Sequence, residues 1–208
     1  VPKGTVPKSI QLPAAFNLKG SFKGSIQDFY TDLVLGSSYG GAKIKGQFNQ
    51  AVKNKEKYNA TAELQNFDLG KLIKNAAVGK ISLNTTITGS GLDPKSANAS
   101  LNGTIKQLYY NKYNYQNLAL KGKINNGSFD AAANSTDPNL SFDLVANGGF
   151  NDKYPKGKIK LNLDIADLEK LNLHAGPLKI RGDVIADIES ADVDYLNGSF
   201  NILNLTVA

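Results

Sequence analysis

The most regular feature of this chain is a two-residue alternation of apolar and polar positions. Ile159, Leu161, Leu163 and Ile165 fall between Lys158, Lys160, Asn162 and Asp164. In the same way Leu178, Ile180, Val184 and Ile188 oppose Lys179, Arg181, Asp183 and Asp187. Ile81, Leu83 and Ile87 alternate with Ser82, Asn84 and Thr86, and Leu118, Leu120 and Ile124 continue the pattern less cleanly. A period of two puts successive side chains on opposite faces of a strand, so these segments predict antiparallel strands with one dry face and one wet face. Leu101, Ile105, Phe142 and Leu144 complete the expected dry-face set.

Turn chemistry falls between these segments. Asn126-Gly127 and Asn147-Gly148 fit tight hairpins, Asp93-Pro94 and Asp137-Pro138 start turns, and Tyr39-Gly40-Gly41 separates two alternating stretches. The result is a β-meander with a strand about every ten residues. Helix signals are confined to two stubs at 68–75 and 167–173, where Asp68 and Asp167 can cap a leucine-bearing turn.

A short signature recurs three times: Phe22-Lys23-Gly24-Ser25-Ile26, Leu101-Asn102-Gly103-Thr104-Ile105 and Leu196-Asn197-Gly198-Ser199-Phe200. A second matched pair is Phe67-Asp68-Leu69-Gly70-Lys71-Leu72 with Ala166-Asp167-Leu168-Glu169-Lys170-Leu171. Together they predict one elongated, repeat-built β domain over 11–208, with copies at about 16–57, 58–150 and 151–208, after a flexible or linking stretch at 1–10. The chain reads as strand to its last residues and carries neither a leader nor a long apolar run, so it is expected to be a piece of a longer protein.

The dry-face side chains decide what architectures are open. Some eighteen of them, each worth about 1.5–3 kcal/mol when buried, cannot be left facing water. The sheet can pack on another as a β-sandwich, close into a barrel, or fold over and leave a groove for an apolar guest; alternation alone does not choose.

Composition narrows the chemistry. Of 208 residues 41% are hydrophobic, enough for a thin core and too many for disorder. There is no cysteine, which removes disulfides, thiol nucleophiles and thiolate metal sites, and His174 is the only histidine. No phosphate-binding loop, nucleophile elbow or paired-glutamate motif is present, and the acidic group Asp183, Asp187, Asp192 and Asp194 lacks the spacing of a calcium loop. The expectation is a non-enzyme without cofactor or metal.

The net charge of +6 comes from lysines spread singly, as at Lys19, Lys23, Lys43, Lys45, Lys121 and Lys123, which predicts a solvated sheet face and no nucleic-acid partner. Tyr109, Tyr110, Tyr113 and Tyr115 predict a hairpin with paired tyrosines, with sugar stacking as the other use of such a cluster. Arg181-Gly182-Asp183 lies within an alternating strand, which argues against adhesion, and the triplets at Asn59, Asn84 and Asn134 are incidental to an asparagine-rich chain.

The glycine signature, the Asp-Leu-x-x-Leu elements, the phrase Leu118-Ala119-Leu120-Lys121-Gly122 with Asp137-Pro138-Asn139-Leu140, and the opening Leu12-Pro13 through Gly40 resemble the periplasmic AsmA/TamB group of envelope proteins. The resemblance implies an all-β fold: an elongated, curved antiparallel meander bent into a taco-like, U-shaped groove. It implies a periplasmic segment of an inner-membrane-anchored protein that takes part in outer-membrane biogenesis by sheltering phospholipid acyl chains. The dry-face residues named above then become groove lining. Two other uses remain open: a scaffold or chaperone that receives outer-membrane β-barrel proteins by strand addition, and a carbohydrate-binding β-sandwich.

Overall fold

The computed structural model describes residues 9–52, 55–192 and 194–208. They form one antiparallel sheet of twelve strands in strict sequence order, which is not closed. The strands are β1 (Phe16–Gly24), β2 (Asp28–Ser37), β3 (Gly40–Asn49), β4 (Lys57–Asp68), β5 (Val78–Ser90), β6 (Asn98–Tyr110), β7 (Tyr113–Asn125), β8 (Ser128–Asp137), β9 (Leu140–Gly149), β10 (Lys156–Asp167), β11 (Lys179–Ala191) and β12 (Leu196–Val207). A five-residue helix, α1 (Leu69–Ile73), comes after β4. The all-β meander read from the sequence is correct, and the sandwich alternative is excluded because the strands make a single sheet.

Four of the expected turns connect strands: Tyr39-Gly40-Gly41 falls at the β2–β3 junction, Asp93-Pro94 between β5 and β6, Asn126-Gly127 between β7 and β8, and Asp137-Pro138 between β8 and β9. Asn126 and Gly127 both have positive φ, 46° and 85°, as a tight hairpin needs. Asn147-Gly148 does not turn; it lies inside β9. A Cβ on Gly148 would sit 2.0 Å from the Lys156 carbonyl oxygen of β10 and 2.8 Å from the Phe129 ring, so this glycine allows a close approach of the neighbouring backbone. A turn at Asn111-Lys112, both at positive φ, joins β6 to β7 without any glycine.

A line of β-bulges crosses the sheet near one end of the strands. Register shifts occur beside Asn66 in β4, between β5 and β6, beside Asp164 in β10 and beside Asn204 in β12. Asn66, Asn117 and Asn204 take the left-handed conformation there, which asparagine tolerates better than most side chains. Bulges bend the strands that carry them. Polar side chains tie the line together: Gln107 Nε2 donates to Asn66 Oδ1, Ser141 Oγ donates to Asp164 Oδ2 at 3.0 Å, and Asp183 accepts from Asn162 at 2.6 Å and Asn204 at 2.8 Å.

Beyond the bulges sits the densest core, and the matched Asp-Leu elements build it. Asp68 Oδ1 accepts from the Lys71 N–H at 3.0 Å and starts α1. Lys74 ends the helix at φ 55°. Asp167 Oδ1 accepts from the Lys170 N–H at 3.1 Å, and Asn172 ends that segment at φ 57°. The first element is a short helix; the second is a run of turns, so only one of the two expected stubs is helical. Leu69 and Leu72 pack with Tyr39, Ala42, Phe67 and Ile81. Leu171, in the second element, is only 1% exposed.

The glycine signatures occupy two different environments. Gly24 ends β1 at φ 109°, where a Cβ would lie 2.1 Å from the Asp28 carbonyl oxygen. Gly198 opens β12 with a similar close approach, to Asp187 O at 2.5 Å. Gly103 lies in mid-strand, where a Cβ would meet nothing nearer than 3.5 Å. The proposed copies hold three, six and three strands, so the recurring unit of this fold is the bulge, Asp cap and leucine turn after β4 and β10.

Candidate functional site: an uncovered apolar sheet face

Residues directly opposite one another in adjacent strands point to the same face, so the strand registers assign each side chain to a side. Four cross-strand rows run along one side of the sheet, three from β1 to β12 and the fourth from β1 to β11. The first runs Gly24, Phe29, Phe48, Tyr58, Gly89, Ala99, Ile124, Phe129, Gly148, Gly157, Ile188, Gly198. The second contains Phe22, Ile87, Leu101, Ile159 and Phe200; the third contains Leu33, Ile44, Leu120, Leu144, Leu161, Val184 and Ile202. The fourth, just before the bulges, holds Leu35, Leu64, Leu83, Ile105, Leu118, Phe142 and Leu163. No charged side chain interrupts any of these rows.

Sixteen of the eighteen sequence-read positions share this face. Besides those in the rows, Ile81 and Ile180 lie beyond the bulge line on the same side, paired with Phe67 and Ala166. The bulge at Asp164 pairs Ile165 with Ser141, a position of the opposite face, so Ile165 leaves the apolar row. Leu178 precedes β11 and is held in a connection, where its carbonyl accepts from the Leu168 N–H at 2.8 Å. The sequence reading missed the β1–β4 contribution. Phe22, Phe29 and Phe48 form a ladder with centroids 5.2 and 5.8 Å apart. The alternation of Phe22 with Lys23 and of Phe48 with Gln47 carries the same signal, weakened by glycines at Gly20, Gly24 and Gly46.

The opposite face is polar. Lys19, Lys23, Lys43, Lys45, Lys121, Lys123, Lys158 and Lys160 all lie on it, among Asn84, Thr86, Asn102 and Thr104. Its ion pairs, such as Lys158–Asp187 at 3.1 Å and Lys43–Glu63 at 3.6 Å, are solvated and contribute little to stability. Hydrogen bonds donated by Asn204 and then Asn162 lower the Asp183 carboxyl from its ordinary value.

Connections reach the first row, where Phe150 lies 5.3 Å from Phe129 and the Tyr58 hydroxyl donates to the Gly91 carbonyl at 3.1 Å, but among the described residues no second layer lies over the middle of the second and third rows. Ile87 and Leu101, at the sheet's centre, are 38% and 39% exposed, against 6% for Phe67 beneath α1. The total accessible surface is 13377 Å². A globular protein of 22.3 kDa has about 9,400 Å². The excess is what a single uncovered sheet leaves open. With strands about 4.8 Å apart, the rows run about 50 Å from β1 to β12.

Other candidate sites resolve into structure. Tyr113 and Tyr115 meet edge to face at 4.8 Å. The Tyr113 hydroxyl donates to Asp137 at 2.5 Å and accepts from Asn139 at 3.0 Å, and burial together with the Asp137 hydrogen bond pushes its phenol up to about 12. Asp137, 1% exposed, also accepts from the Gln116 and Asn139 N–H groups at 2.8 Å. Tyr113 is thereby a strut between β7 and the β8–β9 turn, while Tyr109 and Tyr110 of the same cluster stay exposed. Arg181-Gly182-Asp183 lies in β11, and His174 bonds to the Gly176 carbonyl in an exposed connection. Among the described residues no group of three or more His, Asp or Glu side chains could hold a metal, and no helix is long and apolar enough to cross a membrane. No protein-family model matches the chain, and neither a curated protein nor a solved structure matches it.

Proposed function

We infer that the apolar face shelters phospholipid acyl chains, and that the chain acts without catalysis, as a periplasmic segment of an AsmA/TamB-like envelope protein in outer-membrane biogenesis. What supports this reading is the combination of four uncharged, largely apolar rows with no second layer over the middle of the sheet. An acyl chain gains about 0.8 kcal/mol per methylene on leaving water, so a sixteen-carbon tail needs shelter worth roughly 13 kcal/mol. A strip about 50 Å long is more than twice the length of such a tail. Rows of similar residues offer successive positions of similar energy, so a bound tail can slide along them while its headgroup stays in water.

The test is native mass spectrometry of gently purified protein with phospholipid. Wild-type protein and Asn102→Asp, on the polar face, should carry lipid, whereas Leu101→Asp and Leu161→Asp should not. Equal lipid retention by all four, or none by the wild type, overturns the reading.

A further inference from the structure

The meander sends its connections alternately to the two ends of the strands, so the sheet has two rims built from different stretches of chain. The bulged rim consists of residues 38–39, 69–77, 111–112, 138–139 and 168–178; the opposite rim consists of residues 25–27, 50–56, 91–97, 126–127, 150–155 and 192–195. All of these stretches lie between strands of the sheet, so neither rim depends on what precedes or follows the chain in a longer protein.

Both rims present apolar tips to solvent. Ile73, Tyr110 and Leu173 are exposed at the bulged rim, as are Val52, Leu92 and Tyr195 at the other. Charge separates the two. The connections of the bulged rim carry Lys71, Lys74, Lys112 and Lys170 against Glu169 alone, whereas those of the opposite rim carry four lysines against Glu56, Asp93, Asp152, Asp192 and Asp194. The aspartates that end β4, β8 and β10 change this little. Asp137 and Asp167 are buried, and Asp68 engages one rim lysine, Lys71, at 3.0 Å. Lys112 and Lys170 have no ion pair among the described residues and are exposed.

Hydrogen bonds hold the basic stretches side by side. The Asn111 N–H donates to the Ala77 carbonyl at 2.8 Å, and Asn111 Nδ2 donates to the Asn172 carbonyl at 3.0 Å. The β6–β7 turn is thereby fixed between the segment after α1 and the β10–β11 connection. Each stretch brings an apolar tip with a lysine close by in sequence: Ile73 with Lys74, Tyr110 with Lys112, and Leu173 with Lys170. This combination matches the layers of an anionic bilayer surface. Aliphatic tips suit the boundary below the headgroups, a tyrosine ring with its polar end suits the headgroup level, and ammonium groups suit the lipid phosphates. A nucleic acid has no apolar layer to receive the aliphatic tips.

We propose that the bulged rim docks on an anionic phospholipid bilayer, with Ile73 and Leu173 entering the headgroup boundary and Lys74, Lys112 and Lys170 meeting lipid phosphates. The strands then stand on the membrane, and the apolar rows run parallel to its surface. The contact does not depend on what the apolar face holds.

Cosedimentation with vesicles of phosphatidylglycerol and phosphatidylcholine, against vesicles of phosphatidylcholine alone, tests the contact. Wild-type protein should bind the anionic vesicles more tightly by about tenfold or more, and raising the salt should weaken that binding. Lys112→Glu with Lys170→Glu should weaken it by more than about tenfold, while Lys95→Glu with Lys153→Glu, the same charge change at the opposite rim, should cost less than about threefold. The chain has no tryptophan, so a single introduced one reports its own surroundings. On anionic vesicles Leu173→Trp should emit further to the blue and be quenched by brominated acyl chains, and Leu92→Trp should do neither. Equal losses from the two charge pairs, a blue shift at Leu92→Trp without one at Leu173→Trp, or no binding to anionic vesicles overturns the proposal. Tighter binding to duplex DNA than to the anionic vesicles also overturns it.

Discussion

The two ends of the strands treat the same kind of side chain in opposite ways. At the bulged end, Phe67 and Ile81 lie under Leu69 and Leu72 of α1, and Leu171 is sealed within the turns after β10. In the middle of the sheet, Ile87 and Leu101 occupy equally regular positions with no layer above them. The difference lies in the connections between strands. After β4 and β10 an Asp-capped leucine turn folds back over the sheet; the other connections are shorter, seven residues at most. The fold therefore places its densest cover at one rim and leaves the middle of the central rows without a second layer.

This contrast predicts a graded response to truncation. Phe67→Ala and Leu171→Ala, at the sealed end, should each destabilise by about 3–4 kcal/mol in chemical denaturation, because a cavity opens among packed neighbours. Leu101→Ala, in the uncovered rows, should cost less than about 1 kcal/mol, since half-exposed side chains lose little burial. Equal losses at the two sites would mean that the central rows are covered in solution.

Removing the struts tests the same rim more finely. Asp137→Ala leaves the Tyr113 hydroxyl and two backbone N–H groups without their acceptor, and should cost about 2–3 kcal/mol. Asp68→Ala and Asp167→Ala should each cost about 1 kcal/mol as lost caps. Asp68 also carries a pH signal. Burial pushes its carboxyl up, but the Lys71 N–H and ammonium outweigh this and hold it below its ordinary value. A depressed carboxyl stabilises the fold above its unfolded value near 3.8, and that contribution disappears as the pH falls through the folded value. Acid unfolding of Asp68→Asn should accordingly lack this component.

The smallest expected effect lies at high pH. The Tyr113 phenol is raised to about 12, so its contribution is complete below pH 10 and is lost as the pH climbs toward 12. Phenolate absorbance should show one late-titrating tyrosine that is missing from Tyr113→Phe. A titration identical in the two proteins would remove the strut from the account of the rim.

Much of the sheet was legible because alternation survives strand by strand. Leu161 and Lys160 need only their neighbours in sequence to be placed on opposite faces. What escaped was whatever depends on the adjacent strand. Ile165 keeps its parity in sequence but loses it at the Asp164 bulge, and nothing in Leu163-Asp164-Ile165 signals an extra residue. Asn147-Gly148 has turn chemistry, yet its glycine answers to the Lys156 carbonyl of the adjacent strand. The three glycine signatures look alike in sequence but meet different neighbours, so only two of them need a glycine at all. The Asp-Leu pair was the more reliable repeat, because an aspartate cap with a buried leucine just after it specifies its own local structure.

The central claim concerns which face of one sheet meets lipid, and photocrosslinking tests it directly. A phospholipid with a diazirine in its acyl chain, activated on the bound protein and mapped by peptide sequencing, should label Ile87, Leu101, Leu120 and Leu161 and spare Thr86, Asn102, Lys121 and Lys160. Labelling spread evenly over both sets, or absent from the first, would contradict the account.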